Sequence, residues 1–217
     1  MQVRVNLKIF IFLVIVYFTR QIHIYSIMML FAIIHELAHL ITGLLMGLKP
    51  EKIELMPLGL SVSFKTSNKD YNKKVKKASV LSIKKMIIAA AGPLINIIIA
   101  IFLIYIDIGI NDSIRSEIIF SNVLIAIFNL IPIYPMDGGR ILKEIIHIYK
   151  GSKTAYIDIN KVSNITIIIL TVIASFGIYY YKNISLLLII IYLWGLVFME
   201  NKRYRIKKRI FDIIDAN

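Results

Sequence analysis

Cysteine is absent from the 217 residues of this sequence, and proline and glycine are scarce, with five and ten residues. Without cysteine there can be no disulfide, no thiolate nucleophile and no cysteine-ligated metal, so any metal site has to use histidine and carboxylate. A G-x-S-x-G motif is missing too, which leaves a serine hydrolase mechanism without support. Acidic residues number 13 against 26 Lys and Arg, and the formal net charge is +13.

Apolar residues, by contrast, make up 58% of the chain, and the mean hydropathy is +0.76. A soluble domain of this size could hardly hide so much apolar surface in one core. Nucleic-acid-binding proteins group basic residues with base-stacking aromatic residues on one soluble face. Here the basic residues lie between the apolar runs, which argues against nucleic acid as a partner. The composition therefore predicts a protein embedded in membrane lipid.

Six apolar stretches, most near the ~20 residues that a helix needs to cross a bilayer, predict transmembrane helices. They cover approximately residues 9–18, 22–47, 86–106, 118–135, 162–181 and 184–199. The first resembles a secretory signal, but Arg20 follows it without a cleavage site, so it is predicted to be an uncleaved span. The alternative is a four-span protein with two buried re-entrant segments.

The basic residues are distributed very unevenly among the gaps between these stretches. Of the 26 Lys and Arg, 23 fall on one predicted side of the membrane, and Arg20, Arg115 and Lys182 fall on the other. Because cytoplasmic segments carry the excess of Lys and Arg, both termini and the large loops 48–85 and 140–161 are predicted to be cytosolic.

Two shorter features complete the predicted architecture. Residues 58–64 alternate apolar with small or polar side chains, which is typical of a short strand, and the Lys-rich stretch 69–85 is expected to be a solvated or headgroup-facing loop. The fold class is thus an α-helical multi-pass membrane protein with about six transmembrane helices and a short membrane-associated β element. Residues 1–199 form the membrane domain, and 200–217 form a basic cytosolic tail that favours a surface helix on anionic lipid.

An H-E-x-x-H motif, formed by His35, Glu36 and His39, lies inside the second apolar stretch. Residues four apart on a helix face the same way, so both imidazoles can bind one Zn²⁺. Placing ionisable groups within an apolar membrane helix costs free energy, so such groups require a binding partner or a function. The motif predicts His35 and His39 as zinc ligands and Glu36 as the base that takes a proton from the attacking water.

Asp137 is the one obvious acid among the other spans that can supply a third ligand. It ends the stretch 129–139, in which two prolines and a Gly-Gly pair predict that the helix unwinds and directs Asp137 into a cavity. With Glu36 ionised as well, the two carboxylates would neutralise one Zn²⁺. The alternative is a plain helix terminus with Asp137 as its cap.

Other polar residues in or beside the spans have simpler interpretations. The segment 92–96 is expected to allow close helix packing, with Asn96 as a possible partner of the site. His23 and His147 are interpreted as ordinary interfacial residues and not as ligands.

Together, the H-E-x-x-H motif, the Gly-Pro-Leu-Ile-Asn segment at 92–96 and the stretch 129–139, which ends in Pro-Met-Asp-Gly-Gly, resemble the site-2 protease family of intramembrane metalloproteases. The resemblance implies one zinc ion, with His35, His39 and Asp137 as ligands and Glu36 as base. It also implies that Asn129 and Pro135 lie where the family positions substrate. The strand near 58–64 resembles a family edge strand that pairs with an extended substrate.

Within that family the small size, the six spans and the lack of an inserted PDZ-like domain look most like the SpoIVFB-type sporulation proteases. This likeness implies cleavage of the membrane-associated precursor of sigma factor K in the mother-cell membrane around the forespore. It also implies inhibitory membrane partners of the BofA and SpoIVFA types. No nucleotide-sensing CBS domain is expected after the basic tail, which would be a departure from many of these proteins.

Two other functions stay open on the sequence alone. A site-2 protease of different purpose would cleave anti-sigma factors or remnants of signal peptides. A metal-binding membrane scaffold or transporter would need the ligands but not Glu36, because metal binding requires no base.

Overall fold

The computed structural model describes residues 2–5, 22–56, 59–65, 75–182 and 185–216. The chain divides into two compact units, Met1–Asn129 and Leu130–Asn217. The first predicted span, 9–18, lies outside the described residues and stays a prediction.

The described part of the first unit contains a small sheet and three helices. Its elements are β1 (Gln2–Val5), α1 (Ile22–Leu45), β2 (Lys49–Met56), β3 (Gly59–Lys65), α2 (Val75–Tyr105) and α3 (Asp112–Leu130). The strand order is β1-β2-β3, with β1 parallel and β3 antiparallel to β2. The strand predicted over 58–64 is therefore confirmed as β3, whereas β1 and β2 were not predicted.

A glycine cap ends α1 just before β2 begins. Gly47 has a φ of 78°, and the amide of Leu48 donates to the carbonyl of Gly43 at 2.9 Å. Glycine adopts this left-handed conformation without the steric cost that a Cβ would add. Lys84 of α2 donates from Nζ to the carbonyl of Met46 at 2.7 Å and so satisfies one of the orphan carbonyls of this helix end.

Arg115 on α3 provides a similar cap for the end of α2. Its Nε donates to the carbonyl of Leu103 at 2.7 Å and its Nη2 to the carbonyl of Ile104 at 3.3 Å. Unsatisfied backbone carbonyls are costly in or near lipid, so these contacts stabilise the turn between the two helices.

The second unit consists of helices in its described part: α4 (Asp137–Lys150), α5 (Ser152–Tyr181) and α6 (Ser185–Ala216). Helix α5 packs against both α4 and α6, and Ile167, Leu193 and Val197 are fully buried along the second of these contacts. The side chains of Asn160, Asn164 and Asn201, here called the asparagine ring, hydrogen-bond α5 to α6 in the same contact.

Four described helices are long and apolar enough to cross a membrane: Ile22–Leu45, Val80–Tyr105, Asp112–Leu130 and Ser152–Tyr180. Many large apolar side chains on these helices are exposed, for example Leu44, Ile98 and Ile173, while several polar ones are buried. Soluble proteins bury most large apolar side chains and expose polar ones, so the opposite distribution found here fits helices that are surrounded by lipid. The helical membrane fold is confirmed, and the count of six spans stays a prediction.

Two expectations about the connections need correction, and a third is confirmed. The stretch 69–85 was expected to be a loop, but α2 begins at Val75, because Lys and the interspersed apolar residues are good helix formers that extend the helix. The stretch 140–161 is helical as well, apart from Gly151 with its φ of 83°. Helix α3 ends at Leu130 and does not reach Pro135, which agrees with the predicted unwinding of 129–139.

Candidate metal centre

The two histidines of the H-E-x-x-H motif lie side by side on the buried face of α1. His35 and His39 are each 3% exposed, and their Nε2 atoms are 3.1 Å apart. The rings are nearly perpendicular, at 87°. The one-turn spacing thus brings the two imidazoles together as the sequence predicted.

The other ring nitrogens of these histidines are already engaged. Nδ1 of His35 lies 2.6 Å from Oδ1 of Asn96, and Nδ1 of His39 lies 2.6 Å from the carbonyl oxygen of Ile88. Both oxygens are acceptors, so each Nδ1 carries the proton and donates it. Each Nε2 then presents a lone pair, and two lone pairs at this distance repel unless a cation or a shared proton lies with them.

Helix α3 supports Asn96 through a second amide. Asn96 Nδ2 donates to Oδ1 of Asn122 at 2.7 Å, and Asn122 Nδ2 donates to the carbonyl of Ile118 at 2.9 Å. Both asparagines are fully buried. This amide relay, formed by Asn96 and Asn122, fixes which atom of Asn96 faces His35 and hence which tautomer the imidazole adopts.

The space around the two Nε2 atoms fits a zinc ion. Two nitrogens that each lie ~2.0–2.1 Å from a tetrahedral Zn²⁺ are roughly 3.3 Å apart, close to the separation found here. Gly92 of α2 lies directly beside them, and a Cβ on Gly92 would overlap both His35 Nε2 and His39 Nε2. The glycine therefore keeps open the volume that a ligated ion needs.

Ile88, Gly92 and Asn96 recur every four residues on one face of α2. A spacing of four residues predicts that all three lie on one helix face and contact the same neighbouring helix. Sequence reasoning nevertheless missed Ile88 and Asn122 as partners of the site, and treated Gly92 chiefly as a packing residue.

Glu36 follows His35 on α1 and is partly buried. One residue turns a helix by about 100°, so Glu36 lies beside the face that carries the two imidazoles and not on it. This placement suits a side chain that assists at the site without being a ligand.

The stretch between α3 and α4 leaves the helical conformation, as predicted. The amide of Ile133 donates to the carbonyl of Ile131 at 2.7 Å, and the amide of Tyr134 donates to Oγ of Ser163 at 3.0 Å. Ile133 is fully buried, so the hydroxyl of Ser163 supplies an acceptor that the irregular backbone lacks. The Tyr134–Pro135 peptide bond is cis.

Gly138 and Gly139 serve close packing and not a sharp turn. Both lie within α4, and a Cβ on Gly138 would collide with the carbonyl of Leu130. A Cβ on Gly139 would come within 2.6 Å of the carbonyl oxygen of Ile133. The pair lets the first turn of α4 lie directly against the unwound stretch.

Asp137 is the first residue of α4 and is 4% exposed. The partial positive charge of a helix N-terminus favours the ionised carboxylate there, and Arg140 lies 3.6 Å away. Among the described residues, His35, His39 and Asp137 are the one group of His, Cys, Asp or Glu whose potential ligand atoms all lie within 4.8 Å of one another.

The remaining candidates are placed as follows. Asn129 lies one residue before the end of α3 and donates to the carbonyl of Ile125 at 3.0 Å, and Pro135 is partly buried in the unwound stretch. His23 pairs with Glu117 at 3.0 Å, and His147 lies 3.5 Å from Glu144 in the last turn of α4. Neither histidine belongs to the metal group described above.

Comparison with known proteins agrees with this geometry. The chain matches the model of Peptidase family M50 over residues 23–118 and 106–174. It is 33% identical over 168 residues to a zinc metalloprotease of Methanocaldococcus jannaschii. The aligned region covers 75% of this chain and 44% of that protein. The chain also resembles the solved structure of a site-2 protease from Methanocaldococcus jannaschii, with a TM-score of 0.64 and 25% identity over 92% of this chain and 91% of the other. The chain spans less than half the length of the curated relatives that it matches.

Proposed function

The chain belongs to Peptidase family M50, and from this premise we propose that it is an intramembrane zinc metalloprotease that hydrolyses a peptide bond of a membrane-associated protein. The observation that carries the proposal is the pair of buried Nε2 atoms of His35 and His39, 3.1 Å apart and both directed away from their hydrogen-bond acceptors. Buried imidazoles within an apolar helix require a partner or a function, and a divalent cation bound between them would provide both.

The proposed ligands are His35, His39 and Asp137, two neutral imidazoles and one carboxylate. When bound, a zinc ion supplies a Lewis acid that lowers the pKa of water to about 7 and polarises a carbonyl. The hydrogen bonds from His35 Nδ1 to Asn96 and from His39 Nδ1 to Ile88 hold both rings in the tautomer that a metal ligand requires.

Glu36 is the proposed general base. It takes the proton of the attacking water and later returns it to the leaving amine, a role in which a carboxylate is expected to contribute ~10²–10⁴ in rate. With Asp137 and Glu36 both ionised, the two negative charges balance one divalent cation, so the loaded site carries no net buried charge.

Asn129 and Pro135 are proposed to position substrate near the site. Asn129 uses its NH₂ group on the carbonyl of Ile125, which leaves its oxygen as an acceptor for a substrate amide. Strand β3 lies at the edge of the sheet and packs against α1, so an extended substrate segment could add to it as a further strand.

The proposed substrate is the membrane-associated precursor of sporulation sigma factor K, cleaved near the cytosolic side of the membrane. This narrower proposal, with BofA- and SpoIVFA-type inhibitors and a mother-cell location, is supported only by the sequence likeness to SpoIVFB-type proteases. Anti-sigma factors and signal-peptide remnants are the alternative substrates of the same site.

Both termini are proposed to be cytosolic, with six spans. The charge asymmetry supports this orientation. The pairing of β1 with β2 is a second support, because Val3 and Ile53 lie on the same side of the membrane, as two predicted spans between them require. The chain lacks cysteine, so labelling of a single introduced thiol shows on which side of the membrane that position lies. Cysteine at Lys208 should react only with reagents that enter the cytosol, and cysteine at Asp112 should react with impermeant reagents outside.

Co-expression of the full chain with candidate substrates tests the proposed activity. Glu36→Gln keeps the shape of the side chain but cannot accept the proton, so cleavage should fall by at least ~10²-fold while the protein still accumulates in the membrane. Glu117→Gln is the matched control, because it makes the same change on α3, where Glu117 pairs with His23, and it should cleave like the wild type. Near-normal cleavage by Glu36→Gln would refute the proposed base. If the wild type cut neither the sigma-factor precursor nor anti-sigma factors, the scaffold alternative would replace the protease.

A further inference from the structure

Outside the metal centre, two lysine side chains in the second unit converge on one phenol. Nζ of Lys143 donates to the hydroxyl of Tyr156 at 3.3 Å, and Nζ of Lys207 donates to it at 3.0 Å. Each ammonium also lies 4.3 Å from the centre of the Tyr156 ring. Helices α4, α5 and α6 each contribute one member to this group, here called the Tyr156 cluster.

The Tyr156 cluster has two ammonium groups, and only one of them is close to a described carboxylate. A phenol hydroxyl can accept both hydrogen bonds, but a neutral oxygen does not compensate two ammonium groups. Lys143 is held near Glu144, at 3.9 Å, whereas Lys207 forms no ion pair with any described side chain. Burial lowers the pKa of Lys143, but Tyr134, Tyr156 and Glu144 outweigh that effect and raise it above its ordinary value, so the side chain is charged at neutral pH.

A cavity of about 30 Å³ adjoins the cluster between α5 and α6. Its polar lining includes Tyr134, Asn160, Asn201, Arg203 and Lys207. Glu200 also lines it, but its carboxylate is engaged by Arg203 at 2.6 Å. One water needs roughly 10–15 Å³ of such space, so the cavity has room for about two oxygen atoms. A phosphodiester has two non-bridging oxygens, which could occupy this space.

The position of the cavity along the helices corresponds to the edge of the membrane. The apolar run of α6 ends at Met199, and six basic residues follow within 202–209. Tyr156 lies in the second turn of α5, at the end of that candidate span. Lipid headgroups lie at this depth, and basic pockets between membrane helices are suited to anionic headgroups.

We propose that the cavity beside Lys143, Tyr156 and Lys207 binds the phosphate of an anionic lipid headgroup. The phosphate would accept hydrogen bonds from Lys207 and Arg203 and would balance the excess charge of the Tyr156 cluster. A bound headgroup would link α5 to the basic segment of α6. The proposal is independent of the proteolytic function and of the metal.

The test uses the purified full chain in mild detergent, titrated with phosphatidylglycerol or phosphatidylcholine, with retained lipid counted by native mass spectrometry. The wild type should retain phosphatidylglycerol in preference to phosphatidylcholine, whose choline ammonium the basic lining repels. Lys207→Gln should reduce phosphatidylglycerol retention about fivefold, since each Lys near an anionic headgroup contributes by about that factor. Lys208→Gln removes the same charge from the next residue, which does not line the cavity, and should leave retention within twofold.

Tyr156→Phe provides a second variant that removes no charge. It deletes the oxygen that orients both ammonium groups, so retention should fall although the net charge is unchanged. Equal losses of phosphatidylglycerol retention in Lys207→Gln and Lys208→Gln would indicate diffuse electrostatic attraction to the basic tail and would overturn a specific site. Unchanged retention in Lys207→Gln would overturn it as well. Inorganic phosphate at millimolar concentration should not displace the lipid, and complete displacement would mean that the site takes free phosphate and would refute a lipid site.

Discussion

Two groups of hydrogen-bonded polar side chains in this molecule are arranged in different ways. In the asparagine ring, Asn160 donates to Asn201 at 2.6 Å and Asn201 donates to Asn164 at 3.0 Å. Asn164 in turn donates to the carbonyl of Asn160 at 2.7 Å, so each amide finds its partners inside the ring. At the metal centre, Asn122 orients Asn96 and Asn96 contacts His35, whose Nε2 lies 3.1 Å from Nε2 of His39.

The difference separates two uses of polar residues in apolar helices. A ring that satisfies itself joins two helices, and such contacts contribute about 0.6 kcal/mol each on average. A network that brings two imidazole nitrogens together at one point can instead direct them at a ligand. The four substitutions below test whether the two regions respond as this distinction requires.

The largest effect is expected for His39→Ala, which removes one of the two converging nitrogens. Zinc content should fall from about one ion per chain to less than about a tenth, and cleavage should be lost, because a site with three protein ligands depends on each of them. Elemental analysis of the purified protein measures the loss. Full zinc retention in His39→Ala would exclude this residue as a ligand.

Gly92→Ala tests the space beside the imidazoles without removing a ligand. The added Cβ would overlap both Nε2 atoms, so one helix or both rings must shift, and zinc affinity should fall about 100-fold. Gly195→Ala in α6 is the matched control, since a Cβ there meets nothing within 4 Å. Competition with a zinc chelator gives both affinities, and equal values for the two variants would contradict the assigned role of Gly92.

Asn122→Leu removes the far end of the amide relay and touches neither imidazole. Asn96 then loses the acceptor that orients it, and a supporting residue of this kind is expected to cost at least about 10-fold in metal affinity. The effect should be larger on zinc affinity than on the melting temperature. A large loss of stability with unchanged zinc affinity would show that Asn122 serves packing alone.

The smallest effect is expected for Asn164→Leu in the asparagine ring. Stability should fall by about 1 kcal/mol, while zinc content and cleavage should stay within twofold of the wild type. Thermal unfolding in detergent and the cleavage assay give the two readouts. A tenfold loss of cleavage would remove the distinction between the two polar regions.

The features that the sequence predicted well depend on local spacing. His35 and His39 are one turn apart, and the two prolines before Asp137 interrupt the helix wherever it packs. The partners of the histidines were harder to predict, because Asn96 is 61 positions from His35 along the chain and its role depends on helix packing. Likewise, Lys143 was interpreted only as topological charge and Lys207 only as part of a basic tail on anionic lipid, since their convergence on Tyr156 arises from three packed helices. The loops expected over 75–85 and 140–150 are helices, because basic residues mark the end of the membrane but not the end of a helix.

The central claim is that His35 and His39 bind zinc through Nε2. X-ray absorption at the zinc edge, recorded on the full-length Glu36→Gln protein, measures this directly because that variant should keep its metal while losing cleavage. We expect about one zinc ion per chain with nitrogen and oxygen donors at ~2.0–2.1 Å and scattering from two imidazole rings. Absence of zinc, or a spectrum without imidazole scattering, would contradict the account.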